Sequence, residues 1–422
     1  MAKVKYSVEE AFPRPVRPKV YTMTRIGLAT NSGPAHSPDA IASVDTISAV
    51  FDRDKLAGAL AAVTAAQADT EVGWIQLDFL GDGNVLMSAV SHNLSIRYLF
   101  AADYTGKGII KVSGKQLSDY VKQLPPERIS LTAELPQRLT LKCGRSSARL
   151  QLVQDQTHTE VVVPTMGTSL LVKGNALERW VNCFRDFVSV DDTRFYANGA
   201  LIWADSPASG KGLALHAVAS DALRLAKAEL TDGLLAENIE SSAVLVPKKA
   251  LDELRRVAAA DPDREYRLRW HQDSLFFAVE TDNYTMVSKC IAGKYPPYTS
   301  AIPQKINTEI DVELKSLAES VRRVLLFADK NRIIKLNFDG PVLDVQSFTP
   351  GLKEGEEIVE LGKPAPEAIE VNYNGTLLTG ILNCVNGQAV RFSWENANRP
   401  VKVTGETQKG LEVFFLLVPT RF

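Results

Sequence analysis

Apolar residues recur at helical spacing in six places along the chain. Leu177, Val181, Phe184 and Val188 stand at offsets 0, +4, +7 and +11, which is one face of a helix. Leu317, Val321, Val324 and Ala328 repeat those offsets, and so do Leu56, Leu60 and Val63, where polar Gln67 ends the series. A second helix type follows each of these. Leu117, Val121 and Leu124 give offsets 0, +4 and +7, as do Ala250, Leu254 and Val257, and Leu378, Leu382 and Val385. Pro125-Pro126 is expected to close the first of these helices and Gly387 the third.

Alternating strand patterns follow each second helix: ISLTAE, LTLKCG and ARLQLV, then YRLRWH, LFFAVE and TMVSKC, then VRFSW, VKVTG and LEVFFLLVP. Further strands, among them WIQLDFL, ALIWAD, LALHAVAS and IIKLNF, lie between the two helices of a unit. The pattern predicts an α+β chain of three tandem helix–strands–helix–strands units with a period of roughly 120–140 residues. The expected division is 46–166, 167–302 and 303–422, after a flexible arm at 1–45 rich in Pro, Ser and Gly. Three unrelated α+β domains are the plainer alternative.

Composition narrows the class. A chain of 422 residues with 45% hydrophobic and 23% charged residues can build several cores. No apolar run reaches the roughly 20 residues of a membrane span. The opening MAKVKYSVEEAFPRPVRPK has no continuous apolar stretch of the signal-peptide kind. Cys143, Cys183, Cys290 and Cys384 form no CxxC pair and read as buried thiols in a reducing, cytoplasmic setting. A net charge of −2 argues against a general nucleic-acid binder but leaves room for one basic surface.

Candidate chemistry is sparse. SGKG at 209–212 lacks full phosphate-loop spacing and lies between two strands, so a hairpin turn is expected. His36, His92, His158, His216 and His271 are scattered without metal-ligand spacing. Asp191-Asp192 precedes an expected strand and reads as turn chemistry. No catalytic group, metal or cofactor is expected.

Five segments carry a family resemblance. TRFYANG at 193–199 resembles an R-Y-Y-L-N-G strand, ASDALRLA at 219–226 a T-D-G-H-R-L-A turn, and KYPPY at 294–298 with Ile302-Pro303 an R-F-P-D-Y…V-P linker. VPKK at 246–249 is similar to V-P-R-K at a helix start, and LLVPTRF at 416–422 to a V-V-M-P-M-R-L terminus. Together, in this order on a threefold repeat, they resemble the bacterial DNA polymerase III beta subunit, the sliding clamp. Three departures are visible. Ala222-Leu223 replaces Gly-His, the arm is extra, and an Arg-rich, Pro-containing loop of the family is missing before GWIQL at 73–77.

The resemblance implies a DNA clamp fold, with helices lining a ring and sheets outside. It implies a homodimer that encircles duplex DNA without sequence preference, in the cytoplasm beside the nucleoid. Helices about 10 Å across agree with two chains. Six close around a hole of about 9 Å, whereas twelve leave about 28 Å, enough for a duplex. The polymerase catalytic subunit and the clamp loader would dock through short apolar peptides. Carried over residue by residue, that peptide pocket comprises Ala197, Ser220, Ala222, Leu223, Arg224, Leu225, Pro247, Leu251, Tyr295, Pro400, Leu416, Leu417, Val418, Pro419 and Arg421. Arg224 and Arg421 are expected to meet polar or acidic peptide groups.

Phe195 and Tyr196 match family positions that touch DNA. Lys122, Arg179, Arg255, Arg256, Arg322 and Arg323 stand off the apolar stripes of their helices and are expected to face phosphates. The alternatives are a clamp paralogue serving as a protein-interaction or decoy module without loading on DNA, and an unrelated α+β enzyme.

Overall fold

The computed structural model describes residues 46–422 apart from 68–72, 154–161, 207–211, 348–354, 407 and 421–422. The expected arm, the SGKG turn apart from Gly212, and Arg421 therefore lie outside the described residues, as does most of the segment before Trp74.

One order of elements runs three times, with five strands between the helices of the first two passes and four in the third among the described residues. The first pass is β1 (Thr46–Asp52), α1 (Arg53–Gln67), β2 (Trp74–Phe79), β3 (Asn84–Val90), β4 (Leu94–Ala101), β5 (Asp103–Thr105), β6 (Gly108–Ser113), α2 (Gly114–Gln123), β7 (Arg128–Glu134), β8 (Arg138–Cys143) and β9 (Ser146–Gln151). The second is β10 (Thr168–Lys173), α3 (Gly174–Asn182), β11 (Gly199–Asp205), β12 (Ala214–Ser220), β13 (Arg224–Leu230), β14 (Leu234–Asn238), β15 (Ala243–Pro247), α4 (Lys248–Ala260), β16 (Glu265–His271), β17 (Phe276–Glu280) and β18 (Tyr284–Lys289). The third is β19 (Thr308–Glu313), α5 (Leu314–Val324), β20 (Ile333–Asp339), β21 (Val342–Ser347), β22 (Glu356–Glu360), β23 (Ile369–Asn374), α6 (Gly375–Leu382), β24 (Ala389–Trp394), β25 (Val401–Thr404) and β26 (Leu411–Leu417).

Local chemistry sets the helix starts. Asp52 accepts from the amides of Asp54 and Lys55, Glu313 from those of Lys315 and Ser316, and Asn374 from those of Thr376 and Leu377. The helix ends correct the spacing argument. Phe184, Val188, Ala328 and Val385 extend the apolar offsets but stand beyond α3, α5 and α6. After α3 and α6 the chain turns so that Phe184, Val188 and Val385 stay buried, so periodicity outlasts the helix, whereas after α5 Ala328 is only half-buried. Gly387 does not close α6. Asn383 caps it, and Gly387, at φ +98°, serves a later turn against Glu406.

All strand pairings are antiparallel among the described residues. The strands form four sheets, and two of them cross from one pass to the next. A nine-stranded sheet runs β14-β10-β16-β17-β18-β4-β3-β2-β6, and an eight-stranded one runs β15-β11-β12-β13-β26-β25-β24-β19. The outer sheets are smaller, β5-β1-β7-β8-β9 and β22-β21-β20-β23. Helices pack in pairs, α1 on α2, α3 on α4 and α5 on α6. One continuous core runs beneath them, with Trp180, Trp270, Trp394 and Phe338 fully buried. No helix of the described residues is long and apolar enough to cross a membrane.

Candidate functional site

The eight-stranded sheet positions the expected peptide pocket. Its junction is β13 against β26, with Arg224 opposite Leu417 and Leu225 opposite Leu416. Beyond the strand ends the Val418 amide donates to the Leu223 carbonyl at 2.9 Å. Leu223 and Val418 thus lie side by side, and both are exposed, at 53% and 37%. These two apolar side chains form the open rim of the site.

Strand parity divides the other residues. Alternate residues of a strand face opposite sides. Leu225, Leu416 and Tyr295 belong to a small outer cluster with Val218 and Leu245, beneath the segment that carries Ile291, Tyr298 and Ile302. Burial pushes the Tyr295 phenol up, so it stays neutral. Leu251 and Leu417 face the other way and are fully buried in the main core. They shape the wall from behind and offer no open surface. Ala197 is buried at the end of a 3₁₀ turn, Pro247 stands half-buried just before α4, and Pro400 and Pro419 are half-buried near β25 and β26.

Arg224 is committed internally. Its Nε donates to Asp221 Oδ2 at 2.9 Å and its Nη2 to the Asp186 carbonyl at 2.8 Å, while the guanidinium lies 4.6 Å from the Phe187 ring centroid. Its side chain is 14% exposed. Two of its donors thus tie the β12–β13 turn to the turn at Asp186.

The β12–β13 turn is tightly determined. Ser220 Oγ accepts from the Ala222 amide, and Asp221 Oδ1 from those of Leu223 and Arg224. Ala222 sits at φ +73°, where a Cβ costs roughly 1 kcal/mol. Ala222→Gly is therefore expected to raise stability by about 0.5–1 kcal/mol, read as a higher melting temperature by calorimetry. A lower melting temperature would refute the strain.

The TRFYANG motif is not a strand. Asp192–Ala197 forms 3₁₀ turns broken at Arg194, and the strand starts at Gly199. Asp191 accordingly precedes a 3₁₀ turn, whose Arg194 amide donates to the Asp191 carbonyl. Tyr196 is half-buried, and the side chain of Phe195 lies outside the described residues.

The six basic candidates separate by partner. Arg256 makes a bidentate pair with Glu253, which is 2% exposed and also accepts from Tyr284. Arg323 pairs with Glu357 at 2.7 Å. Those two charges are answered within the chain. Arg255 instead meets Asn182, Arg322 meets Asn383, and Arg179 meets Gln408 and a backbone carbonyl. Neutral partners orient these guanidinia without cancelling their charge. Lys122 is exposed on the last turn of α2.

Other expected features resolve simply. His216 stacks on Trp203 at 4.8 Å between Asp205 and Glu229, and His271 bonds to Ser274. Among the described residues no cluster of His, Cys, Asp and Glu could hold a metal. Cys143, Cys183 and Cys290 are buried, but Cys384 is half-buried. A groove of about 680 Å³ lies along β24–β26 and holds Phe415 but not the Leu223–Val418 rim.

Residues 171–297 match the family described as DNA polymerase III beta subunit, central domain, and residues 299–419 its C-terminal domain. The chain is 26% identical over 386 residues to the beta sliding clamp of Synechocystis, covering 85% of this chain and 94% of that one. It is 22% identical over 335 residues to that of Rickettsia bellii, covering 76% and 85%. The sliding clamp of Bartonella birtlesii, solved bound to griselimycin, superposes with a TM-score of 0.81 at 20% identity, over 89% of this chain and 100% of that one. The beta subunit of Thermotoga maritima gives 0.79 at 21%, with the same coverage. At that identity the superpositions speak for a shared fold.

Proposed function

The chain belongs to the DNA polymerase III beta subunit family, the beta sliding clamps, and from that premise we propose that two copies close head to tail around duplex DNA. The proposed role is tethering, with no catalytic step, in the cytoplasm beside the nucleoid. Polymerase and clamp-loader subunits would dock short apolar peptides at the Leu223–Val418 rim.

The observation that carries this reading is the unfinished sheet. In each bridging sheet the last strand of one pass pairs with the fourth element-equivalent strand of the pass before it: β18 with β4, and β26 with β13. The same rule leaves β9 and β22, each at the edge of an outer sheet. Joined across two copies they give β5-β1-β7-β8-β9-β22-β21-β20-β23, which repeats the nine-stranded sheet element for element. Unpaired edges are a liability, and this closure removes both.

Side chains at the two edges support it. Arg149 is exposed on β9, and Glu356 and Glu360 are exposed on β22 around Ile358, which is 65% exposed. Leu326 and Phe327, just past α5, are 80% and 45% exposed, while Ala148 and Leu150 are half-buried on β9. Lys122, Arg179, Arg255 and Arg322 would supply weak attraction to phosphate inside such a ring, holding the duplex while letting it slide.

The test is topological. Loaded by a bacterial clamp loader onto a closed circular plasmid, the protein is expected to co-elute with the DNA in high salt and to be lost when the plasmid is linearised. Equal retention on linear and circular DNA would show ordinary binding and overturn encirclement.

A further inference from the structure

We propose that Gly380 is a positioning residue for the peptide rim: its missing side chain is the seat of the Arg224 guanidinium. This rests on the peptide-docking reading above and extends it to a residue of α6 that no motif singles out. Gly380 stands inside α6 at ordinary helical geometry, where glycine is less favourable than alanine because more backbone freedom is lost. The helix gains nothing from glycine there, so the reason must lie outside it. A Cβ at this position would come within 2.4 Å of Arg224 Nη1.

Arg224 has little freedom to retreat. Its Nε is held by Asp221, its Nη2 by the Asp186 carbonyl, and its plane by the Phe187 ring. Phe187 in turn stacks on Phe415 of β26 at 5.3 Å. One guanidinium thus joins the β12–β13 turn, the 3₁₀ turn Arg185–Phe187 and α6. Leu223 is the residue next to it, and its carbonyl holds Val418. The seat at Gly380 therefore fixes where the two rim side chains stand. Filling it displaces Arg224 and loosens the turn, although alanine by itself favours the helix.

The experiment compares wild type, Gly380→Ala, Arg224→Ala and the double variant by two readouts. Hydrogen exchange of residues 220–225 is measured in the free protein. Affinity is measured by fluorescence polarisation of a labelled Gln-Leu-Ser-Leu-Phe peptide. Gly380→Ala is expected to speed exchange of that turn and to weaken the peptide about tenfold at undiminished melting temperature. In the Arg224→Ala background it should add nothing to either readout. Unchanged exchange in Gly380→Ala, or full additivity in the double variant, overturns the seat. Faster exchange with unchanged peptide affinity overturns its positioning role. If wild type does not bind the peptide, the docking reading falls and exchange alone decides the seat.

Discussion

Replacing Leu326 and Phe327 together by alanine is expected to weaken self-association at least about 100-fold. Both side chains are largely in water in the single chain, at 80% and 45% exposure, beside the β22 edge. Closure of the sheet would bury them against the partner's β9 edge. Each such side chain contributes roughly 1.5–3 kcal/mol when fully buried, so losing the exposed four-fifths of Leu326 and just under half of Phe327 removes about 2–4 kcal/mol at each interface. Sedimentation over a concentration series should show wild type as a dimer and the variant as a monomer at micromolar concentration. The monomer should still fold, with a somewhat lower melting temperature, because Leu326 is exposed but Phe327 is more than half buried against Gly355. Retention on circular plasmid should disappear in parallel. Wild type that is strictly monomeric under these conditions would remove the ring reading at its base.

The second large effect belongs to the peptide rim. Leu223→Asp combined with Val418→Asp is expected to reduce affinity for the Gln-Leu-Ser-Leu-Phe peptide by about 100-fold or more. The peptide's apolar anchors would lose two contacts of roughly 1.5 kcal/mol each and meet charges that must be desolvated. Dimer mass and melting temperature should hardly move, since both side chains already face solvent. Unaltered peptide affinity in this variant would place the docking site elsewhere, with the β24–β26 groove the next surface to test.

The contrast between Arg224 and Arg255 shows what pattern reading can miss. Both are basic residues on regular elements. One gives donors to the Asp221 carboxylate and the Asp186 carbonyl, and the other donates to neutral Asn182. The same division separates Arg256 and Arg323 from Arg322. The partners lie 61 and 73 residues away for Arg322 and Arg255, beyond the reach of any local spacing rule.

The sequence by itself determined the units. Leu56, Leu177 and Leu317 mark the first helices and Leu117, Leu254 and Leu378 the second, because burying one face of a helix demands apolar residues at that spacing wherever the helix lies. It also determined the strands, whose alternation records one buried face, and the family, through motifs that survive at five places. Only the tertiary structure decided where helices stop, because the turns after α3 and α6 bury the same face as the helices. It alone decided that TRFYANG is a pair of 3₁₀ turns, and that Gly380 makes room for Arg224, since glycine leaves no periodic trace. Strand partners were settled there as well. Hydrogen bonds between β18 and β4, or β26 and β13, join residues nearly 190 apart, and backbone pairing carries no side-chain code that a single chain's sequence displays.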